Sequence, residues 1–290
     1  GEIAVEIQKS LDFLEAELRD LPKRQRSVRA VFEASWKRLT AEDRDAFGRL
    51  SVFQGGFTRE AAQAVADASL VTLRRLVSKA LVTQSVTGRY RIHDLLRQYA
   101  ARKLADSTLG LEVLQAHTLY FADVGAQWAD QMFGDDPAAA IHALDLELQN
   151  LRAVWYQASA LRMTGALGNL AKLWLYYDVR GLWQELVDVS LMALRELPDK
   201  ESTLEGELLT IASIGAYRRG SHEEAHDYCQ RAQVIFEATG ATEFSVLVRM
   251  NLANIYVEMS RIDEAVSLLE ALTTEAQTLG ITWLERNCYV

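Results

Sequence analysis

The sequence predicts an all-α protein with one small β wing, and three observations carry that reading. Apolar residues recur at three- and four-residue spacing over most of the 290 positions, with just three prolines to interrupt them. A single pair of β-prone runs, 82–85 and 89–92, flanks a turn ending at Gly88. Beyond about residue 165 the chain repeats, most clearly where Arg219–Ala225 aligns with Met259–Ala265 at an offset of 40.

Length and charge bound what such a chain does. At 290 residues it is expected to hold about two domains. The net charge of −9 hides a split: residues 20–105 carry 17 Lys/Arg against 8 Asp/Glu, whereas residues 106–290 carry 12 against 27. Two domains with different partners account for this better than one uniform body. No run approaches the roughly 18 apolar residues of a membrane span, and the N-terminus lacks the basic-then-apolar pattern of a signal peptide. The two cysteines, Cys229 and Cys288, have no metal-type spacing. The expected compartment is the cytosol, with no membrane partner.

In chain order, Ile3, Ile7, Leu11, Leu14 and Leu18 make an amphipathic helix that Leu21-Pro22 ends. Its abrupt opening is what a piece of a longer chain would show. Ser27 can cap a second helix carrying Val28, Val31, Phe32, Trp36 and Leu39. Thr40-Ala41-Glu42-Asp43 resembles a capping box, with Asp for the usual Glu, and opens a helix with Phe47, Leu50, Val52 and Phe53 inward. Gln54-Gly55-Gly56 reads as a turn. Thr58 caps a short helix, and Ser69 opens another with Leu70, Leu73, Leu76, Val77 and Leu81 on its apolar side. The β-prone pair follows as a hairpin, and helices followed by a hairpin make a winged helix-turn-helix. Leu95, Leu96, Tyr99 and Leu104 then return to helical spacing, with Asp94 placed to cap that helix.

The stretches SVRAVFEASWKRLTAEDRDAFGRLSVFQGGFTREAA and RYRIHDLLRQYA resemble the winged-helix segment of STAND signalling ATPases, the NB-ARC-like bacterial regulators. The likeness covers about residues 1–105, and Ile92-His93-Asp94 matches the family's Met-His-Asp motif with Ile in place of Met. It implies that His93 contacts the β-phosphate of bound ADP and holds a closed resting state. An imidazole at such a joint can donate to a phosphate oxygen; the alternative is a histidine that packs under the wing or caps a carbonyl. No G-x-x-x-x-G-K-[ST] occurs in these residues, so ATP or ADP would be held by the parent protein and not by this chain, which needs no cofactor of its own. The winged helix also admits a DNA reading through Arg74, Arg75 and Lys79 on the recognition helix and Arg89 and Arg91 on the wing. Ser69-Leu70-Val71-Thr72 offers little for base contacts, and in STAND relatives this module packs on the nucleotide-binding domain, so DNA is the second choice.

Residues 114–128 and 138–159 read as helices separated by Asp135-Asp136-Pro137, a solvated turn. LELQNLRAVWYQAS resembles the helical connector of the same family. Trp155, Trp174, Tyr176 and Tyr177 are expected in the core. In the repeats, Arg219–Ala225 aligns with Met259–Ala265, Leu208 with Val248, Ala212 with Leu252, Ser213 with Ala253 and Ala232 with Leu272. Small residues recur where paired helices must approach. This resembles a tetratricopeptide repeat (TPR) lengthened from about 34 residues. Arg180-Gly181-Leu182-Trp183 is the turn of an earlier unit, and Gly280 opens a further one that the chain stops within.

By register, Ile214, Tyr217, Arg218, Met250, Asn251 and Asn254 line the inner face, where such repeats hold a protein, peptide or small inducer. His222-Glu223-Glu224-Ala225-His226 spells the zinc-protease motif, but Ala225 falls on a packing position and no third ligand stands out. No nucleophile–base pair or metal set is apparent, so no catalytic residue is assigned. The expected organisation is an opening helical segment, 1–26; a winged helix, 27–106; a helical connector, 107–160; and TPR-like repeats forming an α-solenoid, 161–290. The expected function is the non-enzymatic sensor arm of a STAND signal-transduction protein, with a DNA-binding regulator as the alternative.

Overall fold

The computed structural model describes residues 36–200, 202–240 and 243–279. The expected helices over 3–18 and most of 27–39, and Gly280 with Cys288, lie outside them. The described residues are helical apart from one two-stranded sheet, and they fall into two units. The first holds residues 36–52 and 58–110; the second holds Phe53–Phe57 and residues 111–279.

In the first unit, three short helices precede the hairpin and a fourth follows it, the order that the sequence reads as a winged helix. Helix α1, Ala41–Leu50, starts where the Thr40 hydroxyl accepts the Asp43 N–H at 3.1 Å, and it buries Ala46, Phe47 and Leu50. Thr58 caps α2, Arg59–Ala66, in the same way, and Asp67 ends it in the left-handed region at φ 49°. Ser69 caps α3, Leu70–Ser78, which buries Leu73 and Leu76. Strands β1, Thr83–Gln84, and β2, Tyr90–Arg91, pair antiparallel with Thr83 opposite Arg91. Gly88, at φ +83°, turns between them, where a side chain would be strained. Helix α4, Asp94–Ala105, then buries Leu96, Ala100 and Leu104. Trp36 closes this core against Phe47 and Tyr99, ring centroids 6.1 and 5.6 Å away.

The capping box over Thr40–Asp43 forms only in half. Asp43 does not reach back to its own turn. Its fully buried carboxylate accepts from Arg75 Nε at 2.8 Å and Lys79 Nζ at 2.7 Å. Burial alone would raise the Asp43 carboxyl, but the hydrogen bonds from Lys79 and Arg75 outweigh it and hold it below its ordinary range.

The second unit is helical throughout: α5, Gly110–Gln131; α6, Pro137–Ala160; α7, Thr164–Ala171; α8, Trp174–Val179; α9, Trp183–Glu196; α10, Thr203–Arg218; α11, His222–Thr239; α12, Glu243–Glu258; and α13, Ile262–Leu279. Asp136 caps α6 with Pro137 in its first turn. From α9 onward each helix packs on the next. The repeat positions behave as packing positions. Leu208, Ala212, Ser213, Ala225 and Ala232 are buried, as are Val248, Leu252, Ala253, Ala265 and Leu272 one repeat later. Helices approach closely at Gly215, where a β-carbon would stand 2.7 Å from both the Trp183 carbonyl and Val187 Cγ2. Trp155, Tyr176 and Tyr177 are fully buried, and Trp174 is half-buried. No helix among the described residues is long and apolar enough to cross a membrane.

Candidate functional site

His93 itself, and not Asp94, is the N-cap of α4. Its backbone is extended, and its Nδ1 accepts the Leu95 N–H at 3.3 Å, while Asp94 is the first helical residue. A capping Asp94 would have been the commoner choice; the imidazole takes the place because its acceptor nitrogen reaches the Leu95 N–H, one of the first-turn donors with no intrahelical partner. With Nδ1 accepting, the ring's N–H is on Nε2. His93 is exposed, so that donor is open to an external acceptor such as a phosphate oxygen.

The cations of the DNA reading are unequal. Arg74 is exposed on α3. Arg75 and Lys79 are drawn onto Asp43, and Arg75 also meets Glu42 at 2.8 Å. Two positive charges that would meet phosphates are thereby neutralised within the first unit.

On the second unit, the six residues assigned to the inner face separate. Tyr217, Met250 and Asn254 are half-buried and Arg218 is exposed. Arg218 forks onto Asp178, Nε and Nη2 each 2.8 Å from its oxygens. Burial first, and Glu258 second, push the Tyr217 phenol above its ordinary value. Asn251 does not belong to this face. It is buried, and its Nδ2 donates to Ser213 Oγ at 2.7 Å and to Cys229 Sγ at 3.7 Å. Ile214 is likewise buried, 6% exposed. Asn251 points between the helix pairs, where a polar residue survives only because its partner is built in. Cys229, opposite Asn251, has its thiol pushed up to about 11 by burial, which makes it inert.

The H-E-x-x-H motif holds no metal geometry. Ala225 is fully buried, His222 lies edge-on to Tyr217 at 5.7 Å, and His226 meets Tyr256 at 5.8 Å. Among the described residues no group of three or more His, Cys, Asp or Glu side chains could hold a metal ion.

Sequence reasoning missed a buried polar node in the second unit. Asn150 of α6 accepts the Gln54 N–H at 2.7 Å and donates to Gly56 O and Glu147 Oε2, both at 2.9 Å. His117 of α5 stands 3.4 Å from Asn150 Oδ1 and 2.9 Å from Gln157 Oε1. Burial drives the His117 imidazole down to about 4 against weaker support from Gln157 and Asn150, so it is neutral at pH 7. Phe53 and Phe57 stack at 4.5 Å, and Phe53 lies edge-on to His117. The stretch 53–57 is thus a built part of this unit and not a free turn. The signal available in the sequence was Asn150 and His117 on otherwise apolar helix faces.

No protein-family model matches the chain. Three mycobacterial proteins, one from Mycobacterium bovis and two from strains of Mycobacterium tuberculosis, are each named as a candidate HTH-type transcriptional regulator. Each is 33% identical to the chain over 164 residues. The match takes 53% of this chain and 18% of each relative, so the chain corresponds to a small part of the curated proteins it resembles. Among solved structures, a STAND protein with a tetratricopeptide repeat sensor from Pyrococcus horikoshii is similar at 16% identity and a TM-score of 0.35. That match covers 89% of this chain and 48% of the other.

Proposed function

We propose that the chain is the non-enzymatic regulatory and sensing arm of a larger STAND-type signalling ATPase. The observation that carries the reading is the pairing of a histidine-capped helix in the first unit with TPR-like helix pairs in the second. The pairs α10–α11 and α12–α13 repeat with small buried residues in register, and leave Tyr217, Arg218, Met250 and Asn254 accessible at their first helices. On this reading a protein, peptide or small inducer binds those four residues, and the winged-helix segment restrains an ADP-bound state of the parent through His93 Nε2. The regulator names of the curated relatives, and their greater length, support a regulatory arm within a longer protein. The compartment would be the cytoplasm.

The test expresses the chain together with the residues that precede it in its gene and replaces His93 by Ala. Faster loss of bound ADP and raised basal output are expected. Unchanged nucleotide retention and unchanged output would sink the role given to His93.

A second reading, a DNA-binding regulator, draws on the HTH-type names of the relatives and on the exposed Arg74. The pairing of Arg75 and Lys79 with Asp43 and Glu42 counts against it.

A further inference from the structure

A cleft of about 450 Å³ opens in the second unit, lined by Arg152 and Tyr156 of α6 and by Leu182, Glu185, Asp188 and Val189 at the start of α9. Arg152 and Tyr156 are one turn apart on α6, as Glu185 and Val189 are on α9, so each pair shares a helix face. Arg152 is already spent. Its Nε and Nη2 fork onto the two oxygens of Glu185 at 2.7 and 2.6 Å, which cancels both charges. Asp188 is different. It is exposed, its Oδ1 accepts only the Gln184 amide at 2.8 Å, and no cation among the described residues pairs with it. The cleft therefore carries one uncancelled negative charge. Beside it stands Tyr156, an aromatic side chain left 55% exposed, with Leu182 and the buried Val189 as apolar wall.

These features select a ligand by chemistry. An anion meets the uncancelled carboxylate and is repelled. A neutral apolar group would desolvate Asp188 with nothing in return. A planar cation on an alkyl stem satisfies all three elements at once. Its guanidinium can fork onto Asp188, its flat face can lie on the Tyr156 ring, and its methylenes can cover Leu182 and Val189. The surrounding half of the chain, with 27 acidic and 12 basic residues over 106–290, favours approach of a basic partner.

We propose that this cleft between α6 and α9 binds an arginine side chain presented by a basic peptide segment of a partner protein. The proposal does not rest on the role given to the Tyr217 face.

The test uses the whole chain and a fluorescein-labelled nonapeptide with arginine at alternate positions. It is compared with a peptide in which citrulline, the neutral isostere, replaces each arginine. Saturable binding of the arginine peptide in the high-micromolar range is expected, and citrulline should weaken it at least about tenfold. Asp188→Asn and Tyr156→Ala should each weaken it about tenfold while leaving the far-ultraviolet dichroism unchanged, since both side chains are exposed. Asp263→Asn with Glu270→Gln, exposed acids on α13, should leave binding as it was. The proposal is overturned by no saturation up to about 1 mM peptide. It is equally overturned by equal binding of the citrulline peptide, or by a loss in the α13 variant matching that of Asp188→Asn. Loss on Tyr217→Ala with none on Asp188→Asn would place the peptide on the repeat face instead.

Discussion

Replacing Asn150 by Ala tests the buried node at its centre. The side chain makes three hydrogen bonds of 2.7–2.9 Å, to Gln54 N–H, Gly56 O and Glu147 Oε2. Truncation leaves the buried Gly56 carbonyl without this donor and the half-buried Gln54 N–H without this acceptor. An unsatisfied buried group costs about 1–3 kcal/mol, and partial access of water to Gln54 places its share at the low end. The expected loss is therefore about 2–4 kcal/mol in the second unit, a large part of a typical domain's stability. Urea unfolding followed by tryptophan emission reads that unit well, because Trp128, Trp155, Trp174 and Trp183 all lie in it. Hydrogen exchange at the Gln54 amide supplies the local readout and should speed up sharply. Asn150→Asp keeps the shape but sets a carboxylate against Gly56 O and Glu147, so it should be at least as damaging at pH 7. A loss below about 1 kcal/mol with Gln54 still protected would refute the reasoning.

Two further outcomes follow from the same geometry. His117 is held at about 4 against an ordinary 6.5, so the unfolded chain binds the extra proton between those values and stability falls as pH drops through that window. The full loss is about 3 kcal/mol, complete near pH 4, and unfolding midpoints of His117→Gln should have a flatter pH profile there than the parent's. Gly215→Ala should destabilise by about 2–3 kcal/mol, measured by thermal unfolding, since its β-carbon would meet a backbone carbonyl that cannot step aside at 2.7 Å; a cost as small as that of an ordinary exposed helix glycine would show that α9 and α10 are not so tightly apposed.

What the sequence made legible was local or periodic. Thr40, Thr58 and Ser69 cap helices within three residues of themselves, so their spacing sufficed. The buried repeat positions followed from one offset of 40 residues. The cap of α4 falls to His93 and not to Asp94 because two adjacent polar residues compete for one cap, and only backbone geometry decides between them. Asn251 was placed on the wrong side because it neighbours Met250, and a single step along a helix turns about 100° from an open face to a sealed one. Asn150 was not legible at all as a clamp, since its partners Gln54 and Gly56 lie 96 and 94 residues away. Nor could Asp43's ties to Arg75 and Lys79, 32 and 36 residues on, be seen from a motif of four residues.

The central claim is that the chain works by contact with other protein and not by holding DNA. Its most direct measurement is anisotropy of a labelled random duplex of about 30 base pairs titrated with the chain to about 10 µM at low salt. The account predicts no saturable rise, because Arg75 and Lys79 are already paired with Asp43 and Glu42. Saturable binding near 1 µM, falling steeply with salt and lost on Arg74→Ala, would contradict it and establish the DNA-binding reading.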